Sequence, residues 1–167
     1  WWDKDRLLCL SNYLKKNKLK NFLFSPCFHI YEDSNNIKIF DSDNIESFTY
    51  KDILLKKNKF CLSSIVIKRD IVKNMYFTSE KRGQDWEFWL NIAQKTKLYK
   101  IPDKHVYIYI RKNSLSSNKI GKILNIYNIL NNQNINSWLI PLYLILHIVN
   151  TKINNWKAKK IIKFKQV

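Results

Sequence analysis

The chain has 167 residues, 46% hydrophobic and 14% aromatic, which allows one domain with its own core and excludes general disorder. Two glycines and three prolines exclude a glycine-rich phosphate cradle and a flexible interdomain linker. The net charge of +17 is unevenly placed: no Asp or Glu follows Asp103, so the last third is cationic and suits a polyanion, either nucleic acid or an anionic membrane surface.

In chain order, Leu7, Leu10 and Leu14, flanked by Leu8 and Tyr13, form a stripe that predicts a helix over residues 3–17. Leu19 to Tyr31 reads as extended and is interrupted by Pro26. The polar turn Glu32 to Asn36 then leads to Ile37–Phe40, a hairpin pattern. Thr49 and Asp52 form a capping box, with Phe48 placed to staple onto Ile53, and predict a short helix from Tyr50 to about Lys57. Phe60 to Lys68 is a β-branched run of strand length, and Val106 to Ile110 is another extended segment. Between them lies Arg82 to Ala93, RGQDWEFWLNIA, in which Trp86, Trp89, Leu90 and Ala93 recur at helical spacing. That helix is anchored by one apolar face and carries Asp85 at its entrance. Strand, helix, strand in succession predicts a sheet with at least one face covered by helices.

Beyond Ser117 the stripe Ile120, Ile123, Leu124, Tyr127 and Leu130 predicts a further helix, and the Asn-rich Asn131 to Asn136 predicts a turn. Trp138 to Val149 is almost entirely apolar but shorter than the roughly 20 residues of a membrane span. Bracketed by Trp138 and Trp156 and followed by lysines, it suits either a core helix or an amphipathic helix lying in a membrane interface. No secretory signal opens the sequence, which predicts a chain that is not exported.

Candidate chemistry centres on Asp85, since a carboxylate beside flat aromatic surfaces is what a sugar-handling site uses. On the residues alone helix capping is the better explanation of an aspartate at that position, and Trp86 and Trp89 at helical spacing read as core. Cys9, Cys27 and Cys61 are widely separated in apolar surroundings and read as free thiols of a reducing compartment. His29, His105 and His147 show no zinc-ligand spacing. A basic nucleic-acid-binding module would exploit the lysines, but neither a CxxC finger nor an RNP aromatic strand is present, and nucleic acid is not expected as a partner.

The ordered segments WWDKDRLL, FCLSSIVIKRD, RGQDWEFWLNIA and VYIYIRKNSLSSNK resemble the later half of bacterial family 2 glycosyltransferases of the lipopolysaccharide and capsule type, which have the GT-A fold. Those enzymes show a tryptophan-containing segment after a metal-binding Asp-X-Asp, a small-residue strand ending in a basic pair, an acidic dipeptide leading an aromatic helix, and a Tyr-Arg strand entering a Ser-rich turn. The resemblance implies an α/β fold: the acceptor-side half of a GT-A domain over residues 1–118, a mixed sheet flanked by helices, followed by a basic helical tail over 119–167.

The activity implied is inverting transfer, of the hexosyltransferase type, from a nucleotide-sugar donor to a glycan or lipid-linked acceptor in cell-surface polysaccharide biosynthesis. It would take place peripherally on the cytoplasmic face of the bacterial membrane. Asp85 matches the family's base position, although the usual Glu-Asp is Gln84-Asp85 here. Partial burial against Trp86 and Trp89 is expected to make it a stronger base. Trp86 is the candidate for stacking on an acceptor ring, and Arg111 with Ser114 for meeting a diphosphate or lipid phosphate. For Arg111 the other reading is an exposed strand end. Glu80 and Glu87 are rival acids that the family position disfavours. The divalent metal of such enzymes, Mg or Mn, and the donor site belong to a nucleotide-binding half expected upstream of Trp1, so this chain is expected to be a fragment that does not bind donor by itself. The competing reading is a catalytically inactive remnant or a membrane-docking partner subunit.

Overall fold

The computed structural model describes residues 1–32, 37–40, 45–55, 60, 62–78, 83–101, 106–111, 119–157 and 161–162. Among these residues the fold is mixed α/β, built on two four-stranded sheets, the first of which is flanked by helices. In the first sheet β1 (Phe22–Phe24) is central, parallel to β6 (Leu98–Lys100) and antiparallel to β5 (Ile65–Ile67), and β4 (Ser47–Phe48) edges β6. The second sheet joins β2 (Cys27–Tyr31) in parallel to β7 (Tyr107–Ile110) and antiparallel to β3 (Ile37–Phe40), with β8 (Ile161–Ile162) beyond β3.

The predicted hairpin is therefore β2 and β3, in the register Cys27↔Phe40 to Ile30↔Ile37. The extended stretch from Leu19 to Tyr31 is divided at Ser25 and Pro26 and feeds a different sheet on each side.

Side-chain alternation along the first sheet separates two hydrophobic layers. Phe22, Phe24, Phe48 and Leu98 join a cluster with α2 (Tyr50–Leu54), α4 (Gln84–Ala93), α5 (Lys119–Asn132) and the start of α6 (Ile140–Lys157). Leu23, Val66 and Tyr99 face the other way, onto Leu10 and Tyr13 of α1 (Arg6–Lys16) and onto Ile101. Helices thus cover both faces of this sheet, with the short α3 (Arg69–Val72) following β5. Ile126, Ile129, Leu130 and Ile140 lie in the same core as β1 and α4, so residues after 118 share one core with those before it.

Local signals are realised closely at α2. The Thr49 backbone N–H donates to Asp52 Oδ2 at 3.0 Å and the Asp52 N–H to Thr49 Oγ1 at 3.4 Å, while Phe48 and Ile53 are both buried in the core. The helix ends at Leu54, and the remainder of the predicted span, Lys56 and Lys57, lies outside the described residues. The Asn-rich break is also a turn, in which Asn134 adopts φ 56°, a left-handed conformation that Asn tolerates.

Three expectations are corrected. On α1 the leucine stripe faces the protein only at Leu10: Leu7, Leu8 and Leu14 are exposed, and Arg6 is buried beside Leu10. Arg6 displaces that stripe because its guanidinium finds partners inside, donating to Ser25 Oγ at 2.8 Å and to the Ser64 carbonyl at 3.1 Å, with the Trp2 ring 5.0 Å away. A guanidinium with bonds to both of its terminal nitrogens tolerates a dry site that an unpaired one does not. The strand predicted over Phe60 to Lys68 is confined to β5, because a 3₁₀ turn, Leu62–Ser64, aims the Ser64 carbonyl at Arg6. On α5, Ile123, Leu124 and Tyr127 point outward and Ile126, Ile129 and Leu130 inward. That rotation is set by α4: Asn132 donates to Glu87 and Gln133 donates to Asn91, at 2.9 and 2.8 Å.

Gly83 opens α4 with φ 72°, and a Cβ there would lie 2.9 Å from Ile129 Cδ1. Both the left-handed backbone and the close approach of α5 require glycine. Gly83→Ala is expected to lower stability by about 1–3 kcal/mol, read from the midpoint of denaturant unfolding at unchanged slope.

Candidate functional site

The site begins with the burial of α4. Trp86, Glu87, Phe88, Trp89 and Leu90 are all buried, so the helix is embedded nearly all round rather than along one stripe. Asp85, one residue earlier, is exposed. Its Oδ1 accepts the Trp86 backbone N–H at 2.9 Å, a bond to an amide of the first turn that intrahelical pairing leaves free. A carboxylate is thereby held toward solvent on a rigid support.

The expected burial of Asp85 against the tryptophans is not found, because both indoles turn into the core. Trp86 is 5% exposed, its Nε1–H donates to the Ile53 carbonyl at 3.0 Å, and its ring meets His147 edge-on at 5.0 Å. Stacking on a sugar needs an open ring face. Trp86 has none, and the acceptor-stacking role expected for it is corrected to a structural one. Trp89 is likewise enclosed, beside Phe22, Phe77 and Phe88.

The open aromatic surface at this helix is Phe77, which sequence reasoning missed. It stacks on Phe88 at 4.3 Å, lies edge-on to Trp89 and is 49% exposed. Phe88 and Trp89 stand three and four residues after Asp85, on the side of the helix that Asp85 shares. The only available signal was the aromatic pair Tyr76-Phe77 before the RGQDW segment, in a stretch without periodicity.

Glu87 is excluded as a rival base by its bonding. Its Oε2 accepts the Thr78 hydroxyl at 3.0 Å, its Oε1 accepts the Asn132 amide at 2.9 Å, and the side chain is buried. It clamps α4 between the Phe77–Thr78 segment and α5. Glu80 lies outside the described residues.

Arg111 is exposed immediately after β7, in the second sheet, whereas Asp85 belongs to the helical layer over the first. The structure does not bring the two into one cluster. Ser114, with Lys112, lies outside the described residues. Near the same sheet Trp1 stacks on Tyr107 at 5.3 Å, and the Trp2 indole donates to the Ser63 carbonyl at 3.0 Å, so the opening tryptophans hold chain segments together. Among the described residues no three His, Cys, Asp or Glu side chains converge in a way that could hold a metal ion.

A polar cluster closes the other end of α4. Gln133 Oε1 accepts from the Tyr50 hydroxyl at 3.2 Å and from Gln94 at 3.0 Å. Burial, reinforced by Tyr143, holds the Tyr50 phenol above its ordinary value of 10.0, while its hydrogen bond with Gln94 pulls it down. A value raised on folding means that the associated stability is complete below about pH 10 and is lost as pH rises through the folded value. Tyr50→Phe is expected to flatten that alkaline decline, measured by chemical denaturation between about pH 9 and 11.

Comparisons with protein-family models, curated proteins and solved structures give no match for this chain.

Proposed function

We propose that the chain is the acceptor-side half of an inverting, GT-A-type glycosyltransferase that moves a sugar from a nucleotide-sugar donor to a glycan or lipid-linked acceptor, with Asp85 as general base. The observation that carries the reading is the placement of Asp85: an exposed carboxylate at the head of a buried helix, with the half-exposed ring of Phe77 against the same helix. The ordered resemblance of the four segments supplies the reaction class.

In that reaction an acceptor hydroxyl attacks the anomeric carbon as the bond to the donor diphosphate breaks in line. Asp85 takes the hydroxyl proton, and the departing diphosphate takes the bonding electrons. The protein leaves Asp85 in water, so the acceptor itself excludes solvent from the carboxylate when it binds. Phe77 replaces Trp86 as the surface on which an acceptor ring rests. Arg111 is assigned to a phosphate on the acceptor, at a point removed from the base. Donor binding and the divalent cation, Mg or Mn, fall to residues outside those described.

The test is transfer of radiolabelled sugar from a panel of nucleotide sugars to membrane-extracted glycolipid, using the chain together with its nucleotide-binding half. Transfer that depends on Asp85 supports the assignment. Transfer indifferent to Asp85 overturns it, and favours the second reading of a non-catalytic partner that docks on membranes.

A further inference from the structure

The outer layer formed by α5 and α6 packs its interior side onto the core. Tyr143 and Leu144 pack on the core, His147 meets Trp86, and the Asn150 amide donates to the Leu55 carbonyl at 2.7 Å. These contacts fix the rotation of α6. They leave an apolar stripe facing away from the protein.

That stripe is Trp138, Leu142, Ile145, Val149 and Ile153, with exposures of 77%, 51%, 59%, 44% and 43%. The spacings of three, four and four residues place Leu142, Ile145, Val149 and Ile153 on one face of α6, and Trp138 precedes them in the 3₁₀ turn Ser137–Leu139. Ile123, Leu124 and Tyr127 of the adjoining α5 are also open. An exposed apolar stripe along a helix marks an interaction site rather than ordinary surface. The charge around it has one sign. Lys152 is exposed beside Ile153, Lys119, Lys122 and Lys157 lie in the same two helices, and residues 104–167 contain no Asp or Glu.

We propose that the outer face of α5 and α6 docks on an anionic lipid bilayer, lying in the interface with Trp138 at headgroup depth. Charge complementarity selects this occupant. A second copy would set two acid-free, cationic faces against each other across a symmetric contact, at a cost in repulsion. Nucleic acid would meet the lysines and leave the apolar stripe in water. An anionic bilayer satisfies both, with acyl chains for the stripe and headgroups for the lysines. Among the described residues no helix is long and apolar enough to cross a membrane, so α6 lies on the surface. Resting on the proposed transfer to a lipid-linked acceptor, docking in this way brings the protein to the bilayer in which such an acceptor is anchored.

The experiment is cosedimentation of the 167-residue chain with phosphatidylcholine vesicles, with and without about one-third phosphatidylglycerol. The chain is expected to bind only the anionic vesicles, more weakly at high salt. Leu142→Glu with Ile145→Glu is expected to reduce binding by about tenfold or more, circular dichroism reporting the fold. Should that pair misfold, Trp138→Phe decides: brominated acyl chains quench the parent protein's fluorescence, and the variant loses the share of that quenching that Trp138 contributes, the other five tryptophans remaining. Absence of vesicle binding, binding indifferent to the Glu pair, or quenching unchanged by Trp138→Phe overturns the proposal. A concentration-dependent dimer broken by the Glu pair, or DNA binding without vesicle binding, overturns it in favour of those occupants. Asp85→Asn leaves vesicle binding unchanged, so failure here is distinct from failure of the catalytic reading.

Discussion

Asp85→Asn is expected to lower sugar transfer by about two orders of magnitude or more while leaving the fold intact. The exchange is nearly isosteric and separates two roles that coincide at this position. Asparagine still presents a side-chain oxygen to the Trp86 N–H, a local bond that Asp85 makes at the head of α4. It cannot accept a proton from an attacking hydroxyl. A purely capping aspartate therefore predicts near-normal turnover in the variant, and a base predicts collapse with unchanged thermal stability. Asp85→Ala adds a control, since loss of the cap alone costs about 1 kcal/mol of stability. Initial rates at saturating acceptor, set against thermal unfolding of the same samples, read both quantities.

Trp86→Ala is expected to behave oppositely, destabilising the protein by about 3–5 kcal/mol. The indole is 5% exposed, in a cluster shared with α2, α5 and α6, and its N–H satisfies the Ile53 carbonyl. Truncation opens a cavity at the junction of those helices and leaves the carbonyl without that partner. Against a typical net stability of about 5–15 kcal/mol, this is enough to unfold a substantial part of the population near 37 °C. Trp86→Phe refills most of the space and forgoes the hydrogen bond, costing about 1–3 kcal/mol. Denaturant titrations of the three proteins give these differences directly. A Trp86→Ala protein of normal stability but impaired acceptor binding would restore the stacking role.

The contrast between these neighbours shows how far the sequence was legible. The α4 helix, its anchored character and Asp85 at its entrance follow from local periodicity, because spacing along a helix is fixed by backbone geometry. The capping box at Thr49 and Asp52 and the β2–β3 hairpin are legible for the same reason, since their partners lie a few residues apart. Which way Trp86 turns is a different kind of question. Asp85 and Trp86 are adjacent, yet one is exposed and the other enclosed, and the difference comes from Ile53 and His147, 33 and 61 positions from Trp86.

By itself, the sequence determined a mixed α/β domain, helices within residues 3–17, from Tyr50 to about Lys57 and within Arg82 to Ala93, the position of the candidate base, and an acid-free cationic end. Tertiary structure alone decided that Arg6 rather than Leu7 faces inward on α1, and that Ile126 rather than Ile123 does so on α5. It also enclosed Trp86, left the Phe77 ring half-exposed against Phe88, and left one face of α6 exposed. The physical reason is that periodicity specifies only that a helix has an apolar side. Which side is buried depends on whether distant groups satisfy the polar atoms that go in with it, as Ser25 and Ser64 do for Arg6 and as Thr78 and Asn132 do for Glu87.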